Sequence, residues 1–158
     1  MSDAAPARAV RRLRASVRTP ADAWLLCRMA PWAVGLPVLK HALRLETLTR
    51  LASAEPRRRA HLRVDTIVAL SALLTRRGAR SRGACYERSL LSFRFLSEAG
   101  ADPTLVVAVR PGPGGVHVHS WVTVDGAPVG ESAAIAEFAP VVAYGRGGRR
   151  RAVAPERS

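Results

Sequence analysis

Residues 116–126 read Val-His-Val-His-Ser-Trp-Val-Thr-Val-Asp-Gly, and this stretch decides the fold. Its first nine residues are rich in valine and alternate between two faces, which is the period of a β-strand. The Asp-Gly pair that follows is a strong signal for a two-residue hairpin turn. The sequence therefore predicts a strand over 116–124 that turns at Asp125-Gly126 and returns as a short strand over 127–130.

A further strand is predicted just before this hairpin. Residues 104–109, Thr-Leu-Val-Val-Ala-Val, form a run rich in β-branched side chains. Residues 111–115, Pro-Gly-Pro-Gly-Gly, are expected to form a loop that lies outside any helix or strand. Together the three strands predict an antiparallel meander.

The first two thirds of the chain have helical patterning. Thr19-Pro20-Ala21-Asp22 combines a threonine N-cap, a proline at the first helical position and an acid at N3, which is typical of a helix start. Pro31 is expected to end that helix. The predicted helices cover about 20–30, 37–52, 62–76 and 83–96. Helices followed by an antiparallel sheet indicate an α+β fold, with the fourth helix packed on the sheet.

The chain length and composition fit one domain. The 158 residues are 48% hydrophobic, which is enough for one core and excludes two large catalytic domains, a repeat solenoid or a fully disordered chain. We expect a mobile basic arm over 1–18, a helical region over 19–60, a catalytic core over 61–145 and a flexible Arg/Gly-rich tail over 146–158.

The charge is strongly positive and unevenly distributed. The formal net charge is +13, and 24 of the 25 basic residues are arginines. Residues 1–80 contain 16 basic and 5 acidic residues, whereas 81–158 contain 9 and 7. Arginine and alanine enrichment is typical of a GC-rich genome, but the same imbalance permits an anionic partner on the first half.

Two cysteines 58 residues apart do not make a disulfide framework or a complete zinc site, so a reducing cytosol is expected. The N-terminus lacks the apolar segment of a secretory signal. The longest apolar stretch, 23–43, is interrupted by charges, prolines and a glycine, so no membrane span is expected. Cys27, beside two leucines, is expected to be a small buried apolar residue.

Cys85 differs because it falls in the first turn of the fourth predicted helix. Free backbone N–H groups and the positive end of the helix dipole favour thiolate over thiol there. On the predicted strand, His117, His119 and Trp121 share one face, and one of the histidines could be the general base for this thiol. A metal site is the alternative, but the remaining histidines lie in the helical half, and neither a metal nor a cofactor is expected.

An acid is needed to orient the histidine in a Cys-His-acid arrangement. Asp125 lies in the turn, about 20 Å along the strand from His119, and is expected to shape the hairpin instead. Glu131 returns to the level of His119. A strict two-residue loop would turn its carboxylate away from that face, so this assignment predicts a longer loop or a bulge. Glu137 is the second choice.

Cys85-Tyr86-Glu87-Arg88-Ser89-Leu90, His119-Ser120-Trp121-Val122, Val124-Asp125-Gly126 and the acid at 131 follow one another in the order Cys, His, acid. This order resembles the transglutaminase-like cysteine peptidase fold. More specifically, these motifs resemble the split B proteins of lasso-peptide biosynthesis, which are leader peptidases, over about 64–131. That family often has Asp where this chain has Glu131.

The resemblance implies that Cys85 is the nucleophile, His119 the base and Glu131 the third member. It also implies removal of the leader from a ribosomally made lasso precursor in the cytoplasm, with a separate leader-recognition protein as partner and the macrolactam cyclase as a further candidate partner. The rival class is a non-catalytic basic module for nucleic acid or acidic peptides on the same scaffold. Its nucleic-acid form is disfavoured because only 5% of the residues are aromatic and no zinc-finger or RNA-binding motif is present.

Overall fold

Four α-helices precede an antiparallel sheet of five strands in the part of the chain that the structure, a computed structural model, describes: residues 17–56, 63–78 and 83–153. The helices are α1 (Pro20–Ala42), α2 (Leu45–Ala52), α3 (Val64–Leu74) and α4 (Ala84–Glu98). The strands are β1 (Pro103–Gly112), β2 (Gly115–Val124), β3 (Ala127–Val129), β4 (Ala139–Tyr144) and β5 (Arg150–Arg151). The predicted α+β fold class is confirmed.

Helix α1 begins at the predicted cap. The Thr19 hydroxyl accepts a hydrogen bond from the backbone N–H of Asp22 at 3.2 Å, and the Asp22 carboxylate accepts one from the N–H of Thr19 at 2.9 Å. Arg63, just before α3, forms an ion pair with Asp22. Burial by itself would raise the pKa of Asp22, but the hydrogen bonds from Thr19 and Arg18 and the charge of Arg63 hold that pKa below its ordinary value. The cap therefore also joins α1 to α3.

The predicted end of this helix at Pro31 is wrong. Helix α1 continues through Pro31 and Pro37 to Ala42, and a separate helix α2 follows. Both prolines lie on the exposed side, so the missing backbone hydrogen bonds fall toward solvent. Met29 and Leu36 are fully buried and hold the two halves of the helix against the same core. Tertiary packing therefore overrides the local stop signal.

Helix α4 lies at the centre of the main core. Its fully buried side chains include Leu91, Phe93 and Leu96, and they pack against α1, α3 and one face of the sheet. The opposite face of the sheet has its own small cluster around Ala108 and Trp121. The chain between β3 and β4 crosses this second face, so the sheet is covered on both sides.

The paired strands β1 and β2 are longer than predicted, and the turn between them is shorter. The expected loop over 111–115 is wrong, because the ladder continues to the pair Gly112 and Gly115 with a two-residue turn, Pro113-Gly114. Gly114 has a φ of 85°, as the third residue of a type II turn requires. Pro111 fits in the strand because β4 pairs with β1 only as far as Val109, which leaves the edge beside the proline free.

The sheet order is β3-β2-β1-β4-β5. The turn between β2 and β3 is a strict two-residue Asp125-Gly126 turn, in which both residues have positive φ, 51° and 79°. Ala127, Pro128 and Val129 pair with the end of β2, and no bulge interrupts this ladder. The longer loop or bulge expected with the assignment of Glu131 is therefore wrong.

The end of the described chain is bound to the domain. Over 146–153, where the sequence predicts a flexible tail, a 3-10 turn and strand β5 form instead. Arg146 donates hydrogen bonds to the carbonyls of Ala54 and Ser97 at 3.1 and 2.9 Å, and Arg151 pairs with Asp102 at 2.6 Å. Residues 154–158 of that tail and 1–16 of the predicted arm lie outside the described residues. Across the described ranges, every helix is too short or too polar to cross a membrane.

Candidate active site

Cys85 occupies the first turn of α4, as predicted. The first backbone hydrogen bond of the helix runs from the N–H of Glu87 to the carbonyl of Gly83 at 3.1 Å. The N–H of Cys85 precedes it and has no partner within the helix. The thiol side chain is half-buried. A partly accessible sulfur at a helix N-terminus is a favourable place for a nucleophile.

His119 lies on β2 with its ring on the face of the sheet opposite the main core. Two aromatic side chains lie near the ring, with centroid distances of 6.0 Å to Trp121 and 5.3 Å to Phe138. Trp121, predicted to share a strand face with His119, therefore forms one wall of the imidazole site. Phe138 was missed, because it lies after a 3-10 turn of no recognisable period and only the crossing chain brings it to β2.

Glu131 contacts His119 directly. Its Oε2 lies 3.1 Å from Nε2 of the imidazole, and its Oε1 accepts a hydrogen bond from Arg88 of α4 at 2.7 Å. A carboxylate only accepts hydrogen bonds, so this contact places the ring proton on Nε2. The other ring nitrogen, Nδ1, makes no hydrogen bond with the described residues and is the one able to take a proton.

The route by which Glu131 reaches His119 was not predicted. Strand β3 ends at Val129, and Gly130 takes a φ of 71°. Had the ladder continued, Glu131 would oppose Ser120 and point to the other face of the sheet. The turn at Gly130 ends the strand, so the alternation of faces no longer applies to Glu131. The carboxylate can therefore reach His119 although the hairpin has a two-residue turn.

The remaining candidates lie elsewhere. Asp125 is exposed in the β2–β3 turn, which is the structural role predicted for it. Glu137, the second choice of acid, is exposed and forms an ion pair with Arg110. The exposed ring of His117 lies over Gly112, where an added Cβ would be 2.3 Å from its Cδ2. Glu131, rather than Glu137, is the acid hydrogen-bonded to His119.

Cys85 and His119 line the same cleft, which has a volume of about 820 Å³. The cleft lies between the end of β2 nearest the β1–β2 turn and the corner between α1 and α2, formed by Leu43 and Leu45. No hydrogen bond joins the sulfur to the imidazole among the described residues. The arrangement places a thiol and an acid-oriented base in a common space that is open to a peptide.

Ser89 links the cysteine helix to the histidine strand. Its hydroxyl lies 2.9 Å from the carbonyl oxygen of Cys85 and 2.8 Å from that of Ser120. Both serine side chains are buried. Ser89 therefore holds the residue after His119 at a defined distance from the first turn of α4. The sequence alone does not identify this link.

A buried ion pair lies beside the cleft. Lys40 Nζ, at the end of α1, lies 2.5 Å from Oε1 of Glu87, and their side chains are 10% and 5% exposed. Lys40 is the single lysine in the sequence and also lines the cleft. Tyr86 lines the cleft as well, and burial together with the nearby Tyr144 raises the pKa of its phenol, which stays protonated.

The second cysteine is not where the sequence places it. Cys27 is exposed on α1, on the same outer side as Trp24, so the expectation of a buried apolar residue is wrong. Cys27 lies on the outer face of α1, whereas Met29, two residues later, lies on the face that packs against the core. Among the described histidines, cysteines and acids, no group of three is placed to hold a metal ion.

Comparison with known families gives one match. The model of a family described as the transglutaminase-like superfamily matches residues 23–143. This range contains Cys85, His119 and Glu131 and runs from α1 into β4. The superfamily includes cysteine peptidases. No curated protein and no solved structure matches the chain.

Proposed function

Because the chain belongs to the transglutaminase-like superfamily, we propose that it is a cysteine endopeptidase that removes the leader peptide from a ribosomally synthesised lasso-peptide precursor. Cys85 is the nucleophile, His119 the general base and acid, and Glu131 the residue that orients the imidazole. The coarse assignment to a thiol peptidase rests on the family and the site. The choice of a lasso precursor rests on the sequence motifs around 85 and 119.

One observation carries the proposal. Nε2 of His119 is bound to Oε2 of Glu131 at 3.1 Å, while the ring borders the cleft that contains the Cys85 thiol. In this tautomer the lone pair of Nδ1 is available to a proton donor in the cleft. Arg88 holds the second carboxylate oxygen, so Glu131 has one orientation. Such a base, oriented by an acid, is what activation of a thiol requires.

In the acylation step, Nδ1 of His119 takes the proton of the Cys85 thiol, and the thiolate attacks the scissile carbonyl carbon. The carbonyl oxygen becomes negatively charged, and the backbone N–H of Cys85, which has no partner within the helix, donates a hydrogen bond to it. The imidazolium then gives its proton to the leaving amine. The C–N bond breaks, and one half of the substrate stays on the sulfur as a thioester.

In the deacylation step, His119 acts as a base again. It takes a proton from water, whose oxygen attacks the thioester carbonyl, and the C–S bond breaks. The proton returns to the sulfur and the second product leaves as a carboxylic acid. Glu131 stabilises the imidazolium in both steps through its carboxylate, and the aromatic rings of Trp121 and Phe138 keep the imidazole in place.

The proposed partners follow from the proposed reaction. The substrate is the precursor peptide, presented by a separate leader-recognition protein, and the released core peptide passes to a macrolactam cyclase. A purely basic binding module is less consistent with the surface. Within residues 17–56, 63–78 and 83–153, the arginines paired with carboxylates include Arg28, Arg63, Arg88, Arg110 and Arg151.

The test is leader cleavage by purified protein. Wild type is incubated with a lasso precursor and its leader-recognition protein, and products are identified by mass spectrometry. Cys85→Ala should release no leader, with an unchanged circular dichroism spectrum, whereas the matched control Cys27→Ala should cleave at the wild-type rate. Cleavage by Cys85→Ala at that rate would show that the nucleophile is misassigned. A steep salt dependence of DNA binding, unaffected by alkylation of Cys85, would favour the basic module instead.

A further inference from the structure

Strand β2 has an open edge beside Cys85. On one side it pairs with β1 along its whole length, but on the other side β3 covers only residues 122–124. Residues 115–121 therefore have no neighbouring strand on that side in the described part of the chain. The same residues line the cleft, with the single exception of Trp121.

The register shows which backbone groups point to this edge. In a two-residue hairpin the closing pair, here Gly112 and Gly115, is hydrogen-bonded, and bonded pairs recur at every second residue. His117 and His119 therefore bond to β1. The N–H and C=O groups of Val116 and Val118 point away from β1, toward the cleft.

The position of Ser120 supports this assignment independently. Ser120 is in phase with Val118, and its carbonyl oxygen is 2.8 Å from the hydroxyl of Ser89, on the side away from β1. The Ser89 hydroxyl thus binds the outward carbonyl of Ser120, which is the outward group of the open edge nearest to β3. The outward groups of Val118 and Val116 come next and have no hydrogen-bond partner among the described residues.

We propose that the open edge of β2, at Val116 and Val118, binds the substrate by strand addition: an extended peptide backbone pairs with it and passes over Cys85. This inference rests on the proposed peptidase function and names how that site holds its substrate. Unpaired strand edges recognise extended peptides through backbone hydrogen bonds, largely independently of sequence.

The surroundings indicate the class of peptide. The side chains of Val116 and Val118 are 68% and 61% exposed and would lie beside those of an added strand. Leu43 and Leu45 form the opposite wall. Lys40 brings a charge to the cleft, and it is paired with Glu87. The site therefore fits an extended segment with small or apolar side chains next to the cleaved bond.

The first experiment uses a peptide electrophile on the full chain. Acetyl-Val-Ala-Val-Ala chloromethyl ketone alkylates a cysteine thiolate with loss of chloride, and the rate of Cys85 labelling is followed by intact mass in a Cys27→Ser background. Analogues carry one N-methyl group at each amide in turn. Strand addition predicts that methylation at alternate positions slows labelling about fivefold to tenfold and that the intervening positions have little effect. A scan without alternation would overturn the proposal.

The second experiment changes the edge. Val118→Pro removes an outward N–H without removing a bond to β1, and Val118→Ala is the control that keeps the N–H. Val118→Pro should slow labelling by the peptide probe about fivefold to tenfold relative to Val118→Ala. Iodoacetamide, which needs no backbone pairing, should label Cys85 equally in both variants. Equal rates with the peptide probe would overturn strand addition.

The two proposals fail differently. If iodoacetamide does not label Cys85 in preference to Cys27 in the wild-type chain, the peptidase function fails, whatever the edge does. If labelling and leader cleavage occur but the methyl scan shows no alternation, only strand addition fails. The competing explanation is that a second copy of the chain pairs with the open edge. Sedimentation of wild type and Val118→Pro tests this. A dimer that is lost in the variant, together with an unaltered rate of labelling by the peptide probe, would assign the edge to the second copy. The methyl scan uses the unaltered edge, so a misfolded Val118→Pro does not remove the test.

Discussion

Gly130 lies directly against Val68: a Cβ added to the glycine would be 2.2 Å from Cγ1 of that valine. The glycine also has a φ of 71°, a backbone conformation that residues with a side chain rarely adopt. This one residue ends the pairing of β3 and sends Glu131 to His119. The contact therefore links the packing of α3 to the geometry of the candidate site.

Gly130→Ala should destabilise the fold by about 2–5 kcal/mol, from left-handed strain plus overpacking against Val68. In a Val68→Ala background the clash is removed, and the same substitution should cost only about 1–2 kcal/mol. Urea unfolding of the four proteins measures both values. Equal costs in the two backgrounds would mean that the contact with Val68 contributes nothing.

The two cysteines should react at different rates. Cys85 is less exposed than Cys27 but lies at a helix N-terminus in a cleft that contains an imidazole. At neutral pH iodoacetamide should modify Cys85 at least about tenfold faster, because this sulfur shares a cleft with an imidazole base that can take its proton as it reacts. Peptide mapping at short times checks this. Faster labelling of Cys27 would contradict the assignment of Cys85 as the nucleophile.

The two histidines of β2 should not be equivalent. His119→Ala should lower kcat for leader cleavage about 10²-fold to 10⁴-fold, the usual contribution of a general acid–base group. His117→Ala should retain activity within about threefold, because its ring packs on Gly112 and does not contact Glu131. Steady-state kinetics of both variants measure the two losses of kcat. A larger loss for His117→Ala than for His119→Ala would assign the role of general base to His117.

The acid should act through its hydrogen bond to the imidazole. Glu131→Ala should lower kcat about 10²-fold or more, whereas Glu131→Gln keeps a carbonyl acceptor and should lose less. Arg88→Met removes the second partner of the carboxylate and leaves the His119 contact, so its loss should be smaller than that of Glu131→Ala. If Glu137→Ala is the more damaging substitution, the acid has been assigned to the wrong residue.

Asp22 should make the fold sensitive to acid. Its pKa is lowered in the folded protein from an ordinary value of 3.8, so the carboxylate form is favoured by folding. The stabilisation is present above about pH 4 and is lost as the pH falls through the lower, folded value. Urea unfolding between pH 6 and 2 should show a smaller decrease for Asp22→Asn than for wild type. Parallel curves would contradict this role.

Three predictions from patterns that act over a few residues are confirmed by the structure. The cap at Thr19, the helix bearing Cys85 and the Asp125-Gly126 turn are local, because each depends on the backbone preferences of neighbouring residues. Pro31 and Pro111 were misread for the opposite reason. Pro31 lies on the exposed side of its helix, and Pro111 lies beside an unpaired part of its strand edge, so neither missing N–H leaves a buried group without a partner. Only the packed structure shows which side of a helix or strand is exposed.

By itself the sequence determined that helices precede an antiparallel sheet, the three strands β1 to β3 and a short list of candidates for thiol chemistry, because these follow from residue type and spacing. It did not predict β4 and β5, which complete the sheet. The tertiary structure decided how the candidate side chains meet. A left-handed residue at Gly130 brings Glu131 to His119, the crossing chain brings Phe138 to the imidazole, and the short strand β3 leaves the edge of β2 open. Each of these depends on contacts between residues distant in the chain, and such contacts leave no periodic signal in the sequence.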